Sequence, residues 1–443
     1  MMEALELAEK MIQRALKNGC DAVEVFIKNS HGTSVEAKDG KVEALEASRD
    51  FGLALKIIKN RKLGFSFTTE NEDNESIIHE AIQGAEWTAS DEYMDIPDYL
   101  SPSDVLVFDE RINKIKEEEV IESALLLEES TLNFDKSIKK VRKAEVSVGV
   151  GKTTIVNSRG VTTEYDSSYC SAHVTALAQN ESGDSQMGWD YAGSRRMADI
   201  DVSDIGKCAA KRAIDLLGSR KITPVKAPVI LSDSVAVDFF EILSASLSAE
   251  AVQKKRSFLA NKIGQAIISP HLDIIDDGTM AWKTGTSPVD DEGVPSKNKT
   301  LISQGILNGY IHNTYTAKKD GIASTGNAVR HSSKSLPGVG ATNLFIRSGT
   351  KCQHEMIKSL PKGILILGAM GVHTANPISG DFSVGISGLW IENGNILYPV
   401  KEAVISGNIL ELFNRVEEIG NDLRFYGSIG SPSLLIGDMD ISA

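Results

Sequence analysis

Cysteine is scarce in this 443-residue chain. Its four residues, Cys20, Cys170, Cys208 and Cys352, lie far apart and form no Cys-x-x-Cys pair. That spacing offers neither a zinc knuckle nor a disulfide framework, and free thiols in a reducing cytosol are expected. Positive charge is also in short supply: 47 Lys and Arg stand against 61 Asp and Glu, a net charge of −14. Such a field repels phosphate backbones and anionic lipid, so no nucleic-acid or membrane partner is expected. No apolar run approaches the length of a membrane span. The opening MMEALELAEKMIQRALKNG is amphipathic with mixed charge, without the basic start and apolar centre of a secretory signal. A cytoplasmic location follows as an expectation.

Familiar catalytic signatures are missing too. The eight histidines include no His-Glu-x-x-His and no pair at helical ligand spacing. His271 and His312 could meet only through the fold. There is no Gly-x-Ser-x-Gly nucleophile elbow. Cys352 beside Lys351 reads as a passive thiol. Gly149 to Thr154, GVGKTT, imitates a phosphate-binding loop. However, Val146 stands where the first glycine is needed, and Thr153-Thr154-Ile155-Val156 continues as a strand rather than a helix. The segment reads as a glycine-containing turn between strands. Asp276-Asp277 and Asp290-Asp291-Glu292 carry oxygens that suit a hard cation, but Gly278 and Gly293 mark turns beside them.

What is present describes a globular chain of two or three domains. Residues 1–90 predict an N-terminal α+β domain. It has a helix over 3–18, strands over 22–28, 33–38, 41–48, 52–59 and 63–69, a hairpin turn at Asp39-Gly40, and a helix over about 74–89. Residues 91–112, with Pro97 and Pro102, read as a linker. Residues 113–220 predict a middle α+β region with helices over about 117–134 and 202–217. Its strands fall at 143–150, 153–158, 161–166 and 171–179, with a turn at Arg159-Gly160 and a loop holding Trp189, Tyr191 and Gly193. Residues 227–443 turn at Asp277-Gly278, Asn308-Gly309, Asn393-Gly394 and Gly437-Asp438, the texture of a β-rich domain of barrel or sandwich type. The predicted fold class is α+β with a barrel-like C-terminal domain.

A helix predicted over 235–250 follows an apolar run at 227–231 and a Ser-Asp-Ser cluster able to cap it. Phe239, Leu243 and Leu247 face inward, and Glu241, Ser244 and Ser248 outward. Gly380 to Trp390, GDFSVGISGLW, is rich in glycine. Close approach of a bound extended peptide and tight strand crossing in a barrel both account for it.

Three blocks carry a resemblance that spans essentially the whole chain. They are the 380–422 run beginning GDFSVGISGLWIENG, the Asp276-Asp277-Gly278-Thr279-Met280 block followed by Asp290-Asp291-Glu292-Gly293, and Ser324-Thr325-Gly326-Asn327 followed by Arg330. The chain resembles the TldD/PmbA family in these. The resemblance implies a heterodimeric cytosolic protease that cleaves unfolded peptides, whose members also carry the older name of gyrase modulators. The TldD-like subunit holds zinc through a helical His-Glu-x-x-x-His motif and a C-terminal cysteine; the PmbA or TldE-like subunit lacks these ligands.

On that pattern Glu241 stands for the first histidine, Ile242 for the general-base glutamate and Ser246 for the second histidine, and no cysteine lies between Gly420 and Ala443. The wording Trp390-Ile391-Glu392-Asn393-Gly394 also resembles the PmbA side. The resemblance therefore implies a non-catalytic subunit with no catalytic residue and no metal of its own, and zinc in a TldD-like partner. A homodimer is the other assembly considered. Ser324, Thr325, Gly326, Asn327, Arg330, Gly380, Asp381, Ser383, Gly385 and Gly388 are the expected channel or interface residues. A stand-alone hydrolase using groups such as Glu241, His271 or His312, and a non-enzymatic peptide-binding adaptor, are the alternatives.

Overall fold

The computed structural model describes residues 3–70 and 75–442. Helix α1 (Ala4–Lys17) leads into three antiparallel strands, β1 (Ala22–Lys38), β2 (Lys41–Lys59) and β3 (Lys62–Thr68), and helix α2 (Ser76–Trp87). Helices α3 (Glu110–Lys114) and α4 (Glu117–Leu132) precede β4 (Ile138–Asn157), β5 (Thr162–Gln179), β6 (Ser185–Ser194) and α5 (Val202–Asp215). All six strands form one antiparallel half-barrel in the order β3-β2-β1-β4-β5-β6. Helices α1 and α2 pack at one end of this sheet and α4 and α5 at the other, each over its own apolar cluster.

The long strands differ from the shorter ones expected. The segments at 22–28 and 33–38 are one strand, as are those at 41–48 and 52–59, at 143–150 and 153–158, and at 161–166 and 171–179. Polar stretches such as His31-Gly32-Thr33 and Ser167-Ser168 had suggested breaks. They are hydrogen-bonded sheet; Ser167 faces a cleft, whereas Ser168 is buried, its hydroxyl donating to the Arg195 carbonyl. The expected loop at Trp189, Tyr191 and Gly193 is strand β6, paired along its length with β5. GVGKTT is likewise no turn; it lies inside β4. Its glycines have a steric cause. A Cβ on Gly149 would sit 2.4 Å from the Tyr169 ring, and one on Gly32, its neighbour on β1, 2.5 Å from the Tyr169 hydroxyl. The ring lies across a shelf that only glycine provides. The expected hairpin at Asp39-Gly40 and turn at Arg159-Gly160 are present. Asn74, the expected start of α2, lies outside the described residues.

The C-terminal part begins with β7 (Val225–Leu231), α6 (Asp233–Ser246) and α7 (Ala249–Gln253). A layer of short strands follows: β8 (Ile274–Asp277), β9 (Asn298–Ser303) and β10 (Ile306–Leu307), then helix α8 (Thr314–Asp320), β11 (Ala328–Val329), β12 (Gly338–Val339) and β13 (Leu344–Ile346). Helix α9 (Gln353–Ser359), β14 (Lys362–Met370), β15 (Asp381–Glu392), β16 (Asn395–Asn408), α10 (Ile409–Asn414), β17 (Val416–Ile419), β18 (Arg424–Tyr426), β19 (Ile429–Ser431) and β20 (Leu434–Ser442) complete it. Strands β16-β15-β14-β7-β20 close into a five-stranded barrel through pairing of β16 with β20. The chain is thus α+β, with the barrel expected of its C-terminal region.

Only Asn393-Gly394 among the expected C-terminal turns makes a two-residue hairpin, with φ of 48° and 72°. Gly437-Asp438 is instead a bulge within β20, Asp277-Gly278 ends β8, and Asn308-Gly309 is a connection in which Gly309 keeps an ordinary φ.

Candidate functional site

Helix α6 is held from both sides. Val235, Ala236, Phe239, Phe240, Leu243 and Leu247 are buried, and the Phe239 and Phe240 rings meet Phe382 and Phe413 edge-on at 5.0 and 6.3 Å. Each of the Val, Leu and Phe side chains contributes about 1.5–3 kcal/mol by burial. Ser232 occupies the N-cap position, but its hydroxyl makes no capping bond. The first turn is instead fixed by Asp233, which accepts from the Tyr426 hydroxyl at 2.9 Å and lies 3.6 Å from Arg212. Arg212 and Arg424 both reach the buried Asp190 on β6, at 3.2 and 2.7 Å, so this cluster ties the helix to the half-barrel. The helix stops at Ser246, short of the expected Glu250. There the Ala249 N–H turns to the Ile311 carbonyl, and α7 starts separately.

The outer face of α6 borders a cavity of about 400 Å³, lined by Asp238, Glu241, Ile242 and Ala245, with Ala369 to Pro377 opposite, including His373. Of the three positions expected from the resemblance to match the zinc motif, Glu241 and Ile242 face this cavity. Ser246 is buried, and its hydroxyl has no hydrogen-bond partner among the described residues. Burial, then the charge of Glu241, pushes the Asp238 carboxyl up to about 6, and burial raises Glu241 as well. These residues do not fit zinc. Ile242 has no donor atom, the Ser246 hydroxyl lies in the core, and two like-charged carboxylates are not the nitrogen and sulfur set zinc prefers. Among the described residues, no group of three or more His, Cys, Asp or Glu side chains is placed to hold a metal ion.

The acidic blocks and the 324–330 segment converge elsewhere, on a polar interior behind the half-barrel. Asp276 accepts from the Thr342 N–H and hydroxyl and from the Asn327 amide, and pairs with Lys299 at 3.0 Å. Asp277 accepts from Thr279 and Asn298. Asp290 accepts backbone N–H bonds from Glu292, Val294 and Ala328. The Ser324 and Thr325 hydroxyls bond the backbone of His312, and Gly326, at φ 72°, lies against Pro295.

Arg330 reaches Glu24 on β1 at 2.7 Å, and Lys56 on β2 bridges Glu24 and Glu292 at 3.5 and 3.0 Å, all four side chains being buried. Burial pushes the Glu292 carboxyl up, but Lys56 and the Thr314 N–H more than offset that and hold it below the usual range. His271 is exposed, whereas His312 is buried.

In the 380–388 run, Asp381 and Ser383 are exposed, bonding Asn408 and Ser406. Gly380, at φ 83°, precedes β15, and Gly385 pairs with Met370 and Val404. A Cβ on Gly388 would sit 2.2 Å from the Leu365 carbonyl oxygen, at a β-bulge in the barrel wall. Sequence reading missed Asp238, His373, Lys56, Glu24, Lys28 and Arg195. The i, i+3 spacing of Asp238 and Glu241 was the one signal available for any of them.

Comparison with known proteins gives this architecture a family. Profiles of PmbA/TldA metallopeptidase domain 1, central domain and C-terminal domain match residues 23–86, 110–217 and 224–443. The chain belongs to the PmbA/TldD family. It is 30% identical to the metalloprotease PmbA homolog of Buchnera aphidicola subsp. Acyrthosiphon pisum, covering 96% of this chain and 94% of that one. It is 27% identical to metalloprotease PmbA of Escherichia coli O157:H7, covering 100% and 98%. A candidate modulator of a DNA gyrase from Thermotoga maritima superposes with a TM-score of 0.91 at 28% identity, over 99% of each chain. TldE from Thermococcus kodakarensis shares the fold at a TM-score of 0.91 and 20% identity, over 99% and 100%. No helix among the described residues is long and apolar enough to cross a membrane.

Proposed function

We propose that this chain is the non-catalytic, TldE-type subunit of a cytoplasmic metalloprotease that processes unfolded peptides, with zinc and general base supplied by a TldD-like partner. The observation that carries this reading is the outer face of α6. It keeps its place beside a cavity, yet offers Glu241, Ile242 and a buried Ser246 where a zinc peptidase needs two ligands and a base. Exposed Met370 and Ile378 flank the same cavity through their neighbours Ala369 and Pro377. With Asp381 and Ser383 they form the face we assign to the partner and the peptide path. Enclosure by a second subunit would admit extended chains and exclude folded ones.

The test is purification of the chain alone and co-expressed with a TldD-like protein, with metal analysis of each. Substoichiometric zinc and no peptide hydrolysis are expected for the chain alone, with both zinc and EDTA-sensitive hydrolysis in the complex. One zinc per isolated chain, or hydrolysis by it alone that EDTA abolishes, overturns the reading. The carboxylate pair Asp238 and Glu241 supports a second reading, a stand-alone hydrolase. Glu241→Ala discriminates: unchanged hydrolysis by the complex favours the subunit, and loss with the fold intact favours the hydrolase.

A further inference from the structure

A second, larger cavity of about 470 Å³ lies between the half-barrel and the C-terminal layer. Its floor consists of alternate residues on three paired strands. Lys28, Thr153 and Tyr165 form one row across β1, β4 and β5, and Ser30, Gly151 and Ser167 form the next. Hydroxyls dominate the facing wall as well, at 284–287, 332–333 and Ser428. A side chain at Gly151 would meet Ser30 at 3.4 Å and fill part of the floor. The lining combines these hydroxyls with apolar and aromatic groups such as Phe26, Val150 and Val329, a mixture that suits a small ligand with a polar head.

The charges in this cavity are distributed unevenly. Arg195 is held by three carbonyl oxygens, those of Lys283, Ser168 and Thr284, at 3.2, 3.2 and 2.8 Å. Those bonds fix the guanidinium plane and use three of its five N–H groups. Among the described residues no carboxylate forms an ion pair with it. The titratable group that acts on it is the Tyr165 phenol. A guanidinium cannot shed its charge as a buried lysine can, so a site that desolvates one without a counter-ion is incomplete.

The two carboxylates of the cavity have other commitments. Asp290 accepts three backbone N–H bonds, and Asp291 accepts from the Arg330 N–H and feels the charges of Arg330 and Lys28. Lys28, exposed on the floor, forms no ion pair among the described residues. Arg330 is neutralised by Glu24.

We propose that this cavity binds a small ligand bearing an oxyanion, a carboxylate or a phosphate, which docks on the free edge of Arg195 with Lys28 drawing it in. The two remaining guanidinium N–H groups supply charge-assisted bonds, and the hydroxyl rows take the rest of the ligand. Lys28 acts at longer range, so its contribution is the more sensitive to salt.

The experiment is isothermal titration of the isolated full chain with three probes: tri-alanine with a free C-terminal carboxylate, the same peptide amidated, and inorganic phosphate. Saturable binding of the free peptide or of phosphate is expected, with the amidated peptide at least about tenfold weaker than the free one. Saturation by the peptide assigns the site to a carboxylate, and saturation by phosphate alone assigns it to a phosphate. Arg195→Lys keeps the charge but loses the fork, and should weaken binding about 10- to 100-fold. Lys28→Met removes an exposed side chain with no ion pair among the described residues, so the fold is retained; it should weaken binding a few-fold and flatten the salt dependence. Absence of saturation by either oxyanion up to about 10 mM overturns the proposal, as does an affinity unchanged by Lys28→Met and Arg195→Lys. No partner subunit enters the measurement, so its outcome is separate from that of the assembly reading.

Discussion

At the scale of single residues, the acidic blocks show what a linear sequence conveys and what it withholds. Asp290 was legible as a turn residue because its carboxylate bonds N–H groups two and four positions on. The destination of Glu292 was not legible. Its partner Lys56 lies 236 residues away, and Arg330 meets Glu24 across 306. No periodicity encodes such pairings. They have measurable consequences. Arg330→Met leaves the buried Glu24 carboxylate with Lys56 alone, which it shares with Glu292, and a loss of about 1–3 kcal/mol is expected, read as a lower urea midpoint. Asp238 gives the opposite sign. Burial and Glu241 raise its folded pKa to about 6, above the ordinary 3.8. The folded state therefore binds protons more tightly, and stability falls as pH climbs through that window. Asp238→Asn should raise Tm by about 1–3 °C at pH 7.5, with the difference vanishing only below about pH 3, where both states are protonated.

At the scale of elements, legibility followed burial. Helix α1 stood out because it has one apolar stripe over a core, and α4 because its Glu-rich first turn suits a helix start. The strands of the half-barrel were cut short in the sequence reading because polar or glycine residues interrupt the apolar alternation at each expected break, as at Ser30-His31-Gly32, Arg49-Asp50, Gly151-Lys152 and Ser167-Ser168. Sheet hydrogen bonds persist where the hydrophobic signal does not. The end of α6 was missed for a related reason: Ala249 leaves the helix to pair with Ile311, a partner 62 positions later in the chain. Gly388 marks the reverse case, a residue whose type was noticed before its reason was visible. Gly388→Ala would drive a methyl group into the Leu365 carbonyl of the adjoining strand. A loss of about 1–3 kcal/mol is expected, measurable by denaturant melting.

At the scale of the molecule, the barrel expected for residues 227–443 is present, and the resemblance carried by three short blocks extends over all three family domains. The relation of the parts to one another was the least legible feature, because it depends on charges buried between layers. Glu24 and Lys56 come from the half-barrel; Glu292 and Arg330 come from beyond residue 224. Asp190 and Arg212 meet Arg424 and Asp233 in the same way.

Those two clusters make the link at 218–224 a poor place to divide the molecule, although it is exposed and separates two family domains. Each fragment would keep roughly balanced formal charge at the clusters, yet the pairs that cross the division, Lys56 with Glu292, Arg330 with Glu24, Arg424 with Asp190 and Arg212 with Asp233, would be lost. Halves produced separately should be individually unstable and should recover a common melting transition when mixed, as a split protein does. Two halves that melt independently, at unchanged temperatures after mixing, would show that the clusters carry no such coupling. Any exchange of this barrel between relatives would have to carry the matching charges on the half-barrel with it.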